Sequence, residues 1–570
     1  MGTGMGMGMG MATATETKLP SQTALVMISS AFFLYSKPRN LTTFSCRVGL
    51  PTVILSGFFL SAGAEPTSGL GLASSFSIVP RVSTLETYTN NVFLNNADRR
   101  TDLISQISPG IHISSRGGRI SGSLDYSLSE FLYANGSSGR HSENSLNAIG
   151  TVEMVDNWAF LDFNGVIGRQ TISAFGAPSN DPTALNGNST ETSVFRLSPF
   201  VRGRIGSVAD YVARYSLTSN QSKSTLVSNV EEKKLSAKLT GVGGRIGSGW
   251  TLLAEQESSD YSGGRSTQSQ RVNGQYDLPF DATLGVYVKV THESNDLASA
   301  TDQQGNFTAL GVNWTPNEET RVSIDKDSRG ATGLIVNWAP SKRTSVSVTR
   351  ERRLYGDTQN IALAYRTAST AWTFSDTRSA VSSQNLSSAA VSLYDLLTAQ
   401  FAAGESDPLK RQQYDVFLQA NGIKPNATAV LGFLTSAVSL QRQQQLSFAL
   451  FGARSTVSVI ATRSSNSRLD RTSTAVDDLS NSPVVQENGL TVNFSQRLSA
   501  RAVLSLIAAT QRSSGSLGQA GTSSRSVNLN LSTQLNKDTS ATVGARRVVF
   551  DSSTAPYTET AVTGSLSVQF

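Results

Sequence analysis

Three histidines, His112, His141 and His292, are the only imidazoles in 570 residues, so acid–base chemistry near neutral pH has few places to reside. His292 has the best neighbours: Glu293 follows it and Asp296 lies four residues on, the residue types a hydrolase uses to orient an imidazole and activate water. A solvated histidine among charges is the simpler reading and is preferred. His112 falls among the inward-facing positions of an alternating segment, and His141 lies in a Ser- and Gly-rich loop. There is no G-x-S-x-G elbow, no H-E-x-x-H and no cysteine cluster, since Cys46 is the single cysteine. Asp477 and Asp478 are a candidate calcium pair, but they lack Gly-bracketed ligand spacing and read as loop solvation. No enzyme, cofactor or metal site is therefore expected. Arginine outnumbers lysine, and Arg202 and Arg204, two residues apart, would share one face of a strand. As candidate lumen arginines they suit bidentate contacts to the carboxylates of an acidic polymer, although pairing with nearby Asp and Glu is the ordinary outcome and is preferred.

The elements that position these residues are strands. Val562, Gly564, Leu566, Val568 and Phe570 alternate with Thr563, Ser565, Ser567 and Gln569 up to the last residue, the pattern of a membrane strand with lipid on one side. Such a run with a terminal aromatic also resembles the signal read by outer-membrane assembly machinery in Gram-negative bacteria, with Val562, Leu566, Val568 and Phe570 as its expected residues. Only 38% of the chain is hydrophobic and the mean hydropathy is −0.17, which excludes a multi-helix membrane bundle but suits a barrel with a polar lumen.

Residues 1–64 are expected to be an extended leader. The apolar run Val48 to Leu60 follows Lys37, Arg39 and Arg47 and ends at Ala62, Gly63 and Ala64, an A-x-A pattern that places cleavage near Ala64. Cys46 precedes that run, so it is not a lipidation site. Removing the leader takes Lys18, Lys37, Arg39, Arg47 and Glu16 with it, leaving a net charge of +3 instead of +6. The basic balance is then no argument for a nucleic-acid partner, and none is expected.

Over residues 65–570, period-two segments separated alternately by short and long connections give about 24 strands, within a range of about 20 to 26. The fold class is all-β: a transmembrane antiparallel up-and-down β-barrel. Val312, Asn313, Trp314, Pro316, Thr320, Val322 and Ser323 recur 24 residues later as Val336, Asn337, Trp338, Pro340, Thr344, Val346 and Ser347, one duplicated hairpin. All five tryptophans, Trp158, Trp250, Trp314, Trp338 and Trp372, fall where strands meet the short connections, as expected of a periplasmic aromatic girdle. One segment departs from period two. Ala390, Val391, Tyr394, Leu397 and Phe401 have helical spacing before Gly404, and Asp407-Pro408 opens a second helical stretch ending at Gly422. A short helical insertion near residues 388–422, within the connection 383–435, is expected on the extracellular side, capping the mouth or entering the lumen.

Several segments carry a resemblance to a known family: Thr84-Leu-Glu-Thr-Tyr-Thr-Asn-Asn-Val92, Ser108-Pro-Gly110, Asp156-Asn-Trp-Ala-Phe-Leu-Asp162, Asn421-Gly-Ile-Lys-Pro425, Gly432-Phe-Leu-Thr-Ser436 and Gly452-Ala-Arg454. The chain resembles the outer-membrane protein family associated with the PEP-CTERM sorting system, whose members tend to be encoded near exopolysaccharide biosynthesis loci. The resemblance implies a setting, the outer membrane of an exopolysaccharide-producing Gram-negative bacterium, and supplies no catalytic residues. The expected function is a non-enzymatic channel or accessory component of exopolysaccharide export. Its expected partners are outer-membrane lipid, the barrel assembly machinery, and exopolysaccharide or polysaccharide export proteins. A general diffusion porin or structural surface barrel is the alternative, and a barrel-embedded hydrolase relying on His292 or His112 is a third.

Overall fold

Alternation is the local rule that builds the molecule. In the last strand Val562 and Leu566 are exposed on one face while Tyr557, Glu559 and Ala561 are buried on the other. The computed structural model describes residues 76–178, 183–243, 248–298, 303–381, 432–470, 477–516 and 518–570. The expected leader and the helical stretches near 388–422 lie outside the described residues.

Strands β1 to β6 span Phe76–Thr89, Asp102–Gly117, Ile120–Tyr133, His141–Val155, Ala159–Thr171 and Ser189–Ile205. Strands β7 to β12 span Ala209–Ser222, Val230–Gly243, Ser248–Tyr261, Ser266–Pro279, Leu284–Asn295 and Gln303–Asn317. Strands β13 to β18 span Thr320–Asp327, Thr332–Ser341, Thr344–Arg353, Gly356–Arg366, Thr370–Val381 and Ser439–Phe451. Strands β19 to β24 span Ser455–Arg468, Val484–Arg497, Ala502–Gly515, Thr522–Gln534, Thr539–Asp551 and Tyr557–Gln569. Each pairs antiparallel with the next, forming one sheet of 24 strands. β24 then pairs with β1 from Thr89↔Ala561 to Arg81↔Gln569, which closes the barrel and leaves no sheet edge. The Phe570 amide adds a last bond to the Pro80 carbonyl at 2.9 Å. The sequence-based expectation of an antiparallel barrel of about 24 strands matches this architecture.

Connections sort by end. At one end they are tight, as at 118–119, 156–158, 318–319, 342–343 and 452–454; at the other lie longer segments such as 90–101 and 172–188. Gly118 at φ 66° and Asn157 at φ 55° occupy left-handed positions in two of the tight turns, the conformation that Gly and Asn adopt most readily. The duplicated hairpin is visible in the register. β12–β13 shifts between Trp314 and Asn317, and β14–β15 shifts between Trp338 and Ser341, around Pro316 and Pro340. Proline cannot donate to the ladder, so both copies break it at the same place.

The described residues form no single apolar core. The outer surface carries exposed apolar side chains such as Leu310, Ile324, Leu446, Leu529 and Val543. On the inner face, buried apolar clusters gather where loops fold back on the wall. One joins Val92 to Ile104, Phe131 and Tyr133, and another joins Leu94 and Ala184 to Phe550 and Tyr557.

Candidate functional site in the lumen and at its mouth

The lumen wall is polar and largely neutralised by its own residues. Arg81 on β1 forms an ion pair with Asp125 on β3 at 2.5 Å, crossing β2 at Gly110, where an added Cβ would stand 3.0 Å from the arginine Nε and 2.8 Å from the Tyr126 carbonyl. His112 faces the same carboxylate at 3.3 Å, so the structure gives this inward histidine a carboxylate partner on the wall. His141 sits 3.1 Å from Glu143. Alternation separates the third histidine from its supposed partner. His292 lies on the outward face beside Asn306 at 2.7 Å, whereas Glu293 points inward, is 1% exposed and accepts from Arg353 at 3.0 Å. Adjacent strand residues point to opposite faces, so their adjacency in sequence does not make a site.

The two candidate lumen arginines also have local partners. The Arg202 guanidinium lies 4.5 Å from the Phe160 ring centroid, and Arg204 faces Asp210 at 3.4 Å. Nearby, Arg214 pairs with Asp162 at 2.5 Å and stacks over Phe200.

A denser network occupies one side of the wall. Arg271 on β10 pairs with Glu351 on β15, Lys289 on β11 with Asp325 on β13 at 3.1 Å, and the Tyr287 hydroxyl donates to Asp325 at 2.9 Å. Neighbouring strands lie about 4.8 Å apart, so five steps along a gently curved wall exceed the combined reach of an arginine and a glutamate. The wall from β10 to β15 is therefore folded inward, and its inner faces meet through these charges. Such pairs are buried at a desolvation cost that only complete pairing offsets.

At the loop end, segments cross the opening and bind one another. The loop 469–483 contains the short helix α1, Asp478–Asn481, capped by Asp477. One oxygen of Asp477 accepts from the Ser480 amide at 3.0 Å; the other accepts from the Thr435 hydroxyl at 2.7 Å and the Ser436 amide at 2.9 Å. Asp478 accepts from the Ser173 hydroxyl at 2.8 Å and the Ala174 amide at 2.6 Å. The Leu434 amide, ahead of β18, donates to the Thr171 carbonyl at the end of β5, nearly opposite in the ring. Asp470, beyond β19, accepts from the Val438 amide at 3.0 Å and pairs with Arg265 from the loop after β9. Leu479, 1% exposed, packs with Ala174, Ala437 and Val485 beneath these bonds. On the other side the Leu185 amide donates to the Val92 carbonyl, and the Tyr557 hydroxyl to the Pro178 carbonyl, both at 2.9 Å. The result is a strap of loops across the mouth.

Asp477 and Asp478 are thus anchors of this strap, which corrects their reading as loop solvation; among the described residues no group suited to holding a metal occurs. Burial holds the Asp478 carboxyl above the usual carboxylate range, with the bonds from Ser173 and Ala174 opposing and the neighbouring Asp477 adding to the shift. The sequence signal for the anchors was slight. Two acids lie among Ser and Thr, and their partners are some 40 and 300 residues away.

The five tryptophans all stand at the tight-turn end: Trp158 in the turn before β5, Trp250 and Trp372 near the starts of β9 and β17, Trp314 and Trp338 near the ends of β12 and β14. No described helix is long and apolar enough to cross a membrane; the crossing is made by strands. A closed sheet with apolar side chains outward and charges inward is an outer-membrane β-barrel.

Neither a protein-family model nor a curated protein matches the chain. Solved structures with similarity include the FrpB iron transporter from Neisseria meningitidis, at a TM-score of 0.42 and 10% identity over 88% of this chain and 83% of that one. The siderophore receptor PirA from Pseudomonas aeruginosa matches at a TM-score of 0.36 and 11% identity over 86% and 80%. PirA from Acinetobacter baumannii matches at 0.39 and 9% over 86% and 80%.

Proposed function

We propose that the protein is a non-enzymatic, gated passage through the outer membrane that serves exopolysaccharide export in a cell with a PEP-CTERM sorting system. The observation that carries the gate is the strap, in which segments from nearly opposite sides of the ring are tied by individual polar bonds: Ser173 and Ala174 to Asp478, the Leu434 amide to the Thr171 carbonyl, and Arg265 to Asp470. A barrel of this size encloses more space than its own side chains fill, so it needs a closure that can yield. The link to exopolysaccharide rests on the family resemblance. Two of the segments that carry it lie at functional places in the fold: Gly432 to Ser436 belongs to the strap, and Thr84 to Val92 borders the β1–β24 seam. The tryptophans serve as the periplasmic aromatic girdle. Val562, Leu566, Val568 and Phe570 form the strand read by the barrel assembly machinery. Polysaccharide export proteins are the expected periplasmic partners.

Planar-bilayer recording tests the gate. Wild-type protein should conduct weakly, and Asp477→Ala combined with Asp478→Ala should conduct several-fold more; equal conductance in both would refute gating by the strap. A deletion strain tests the cargo. Loss of secreted polysaccharide, restored by the wild-type chain, is expected, whereas normal secretion beside a conducting barrel would favour general diffusion.

A further inference from the structure

We propose that the outward face of β15 to β23 is a binding surface for phosphorylated headgroups of the outer-leaflet lipid. Register assigns the residues. Arg350 pairs across to Gln359, Gln359 to Arg378, and Arg378 to Arg442, so one row on the outside of β15 to β18 carries three arginines. Their outward direction follows from Leu363, Trp372 and Leu446 on the same strands and from Trp338 on the adjacent β14, which share that parity and are exposed. A second row continues it: Arg463 pairs with Asn488 and Asn488 with Arg512, across β19 to β21. Arg525 on β22 and Arg547 on β23 have the outward parity of Val527 and Val543.

Every one of these arginines lies in the loop-side half of its strand, directly above outward apolar residues such as Leu446, Leu490, Leu529 and Val543. An arginine facing lipid costs about 2–4 kcal/mol at the bilayer midplane and about 0–1 near the interface, which places the row at headgroup level. Among the described residues of these strands the acids on this face are Asp357, Asp376 and Asp551. Asp357 takes Arg350 and Arg352, and Asp376 takes Arg442 at 2.6 Å. Arg378, Arg463, Arg512, Arg525 and Arg547 form no ion pair with another described residue. Arg378 and Arg442 stand directly opposite each other; Asp376 answers Arg442 with two bonds, which leaves Arg378 as the charge of that pair open to a further anion.

The other half of the rim has the reverse balance. On β1 to β12 the outward charges at this level include Glu86, Glu130, Glu231 and Asp260, with Lys233 held by Asp260 at 3.2 Å. A basic rim on one half of the barrel, at headgroup height and on the lipid side of the wall, complements phosphate monoesters. Guanidinium groups engage these bidentately. A soluble polymer inside the lumen cannot reach it.

Native mass spectrometry of the full barrel, loaded from micelles with a bisphosphorylated glycolipid or with the same glycolipid after phosphate removal, tests the proposal. Wild-type protein should retain the phosphorylated form about tenfold or more over the dephosphorylated one. The combined variant R378Q/R463Q/R512Q/R525Q/R547Q should lose that preference, while Lys233→Gln keeps it. Equal retention of both glycolipids by the wild type, or an unchanged preference in a folded five-site variant, would overturn the proposal. So would displacement of the glycolipid by a soluble acidic polysaccharide at matched charge. The wild-type comparison stands alone if the variant does not assemble.

Discussion

At the scale of single residues, what matters is which face a side chain occupies and whether its charge is answered there. His292 and Glu293 are neighbours in sequence and face opposite sides of the sheet. Replacing His292 by Ala should therefore leave polysaccharide secretion unchanged; a defect without loss of barrel in the membrane would revive the hydrolase. Gly110 has a different constraint, since any side chain there meets Arg81 and the Tyr126 carbonyl. Gly110→Val should destabilise the barrel by about 1–3 kcal/mol in urea unfolding, by overpacking and by displacing Arg81 from Asp125. Asp478 carries a pH dependence. Its folded-state carboxyl titrates above the usual range, so its contribution to the strap is fully present below the ordinary carboxylate pKa and is lost as pH rises through the raised value. The groups facing it, Asp477 and Glu487, are acidic and act in the same direction. Conductance should fall as pH is lowered from neutral, and Asp478→Asn should flatten that dependence; an unchanged pH profile in the variant would remove Asp478 from the gate.

At the scale of elements, the strap is two kinds of interaction layered together: polar ties above and the Leu479 cluster below. Leu479→Ala removes a fully buried side chain and should loosen the strap by about 2–4 kcal/mol. The reading is hydrogen exchange of the amides of Leu434 and Ala174, which donate across the mouth. Unchanged protection would mean that the carboxylates alone hold it. The duplicated hairpin is the element most legible in sequence, because the same Trp and Pro residues recur and the ladder breaks at both copies.

At the scale of the whole molecule, closure depends on β24 meeting β1, yet Phe570 itself is 75% exposed on the outside. Its side chain adds little packing, so its deletion should slow assembly in cells far more than it lowers the equilibrium stability of refolded protein. Heat-modifiable mobility of the barrel, compared in cells and after refolding, separates the two. An equal loss in both would make Phe570 a stability residue instead of an assembly signal.

Strand number, direction and the placement of tight turns were legible because period-two alternation is local: each residue's face is set by its neighbours and by one shared lipid boundary. The terminal run to Phe570 and the tryptophans at the turn end were readable for that reason. The inward fold of the β10–β15 wall, the strap and the arginine rim were not. Arg271 meets Glu351 and Ser173 meets Asp478 only because closure of the ring brings distant strands together. Arg378 confronts Arg442 only through a register that the intervening connection hides. Sequence by itself determined the barrel and the end of it at which each connection lies. Tertiary structure decided what crosses the mouth and where the outer charge collects, since pairing between remote segments has no period to read.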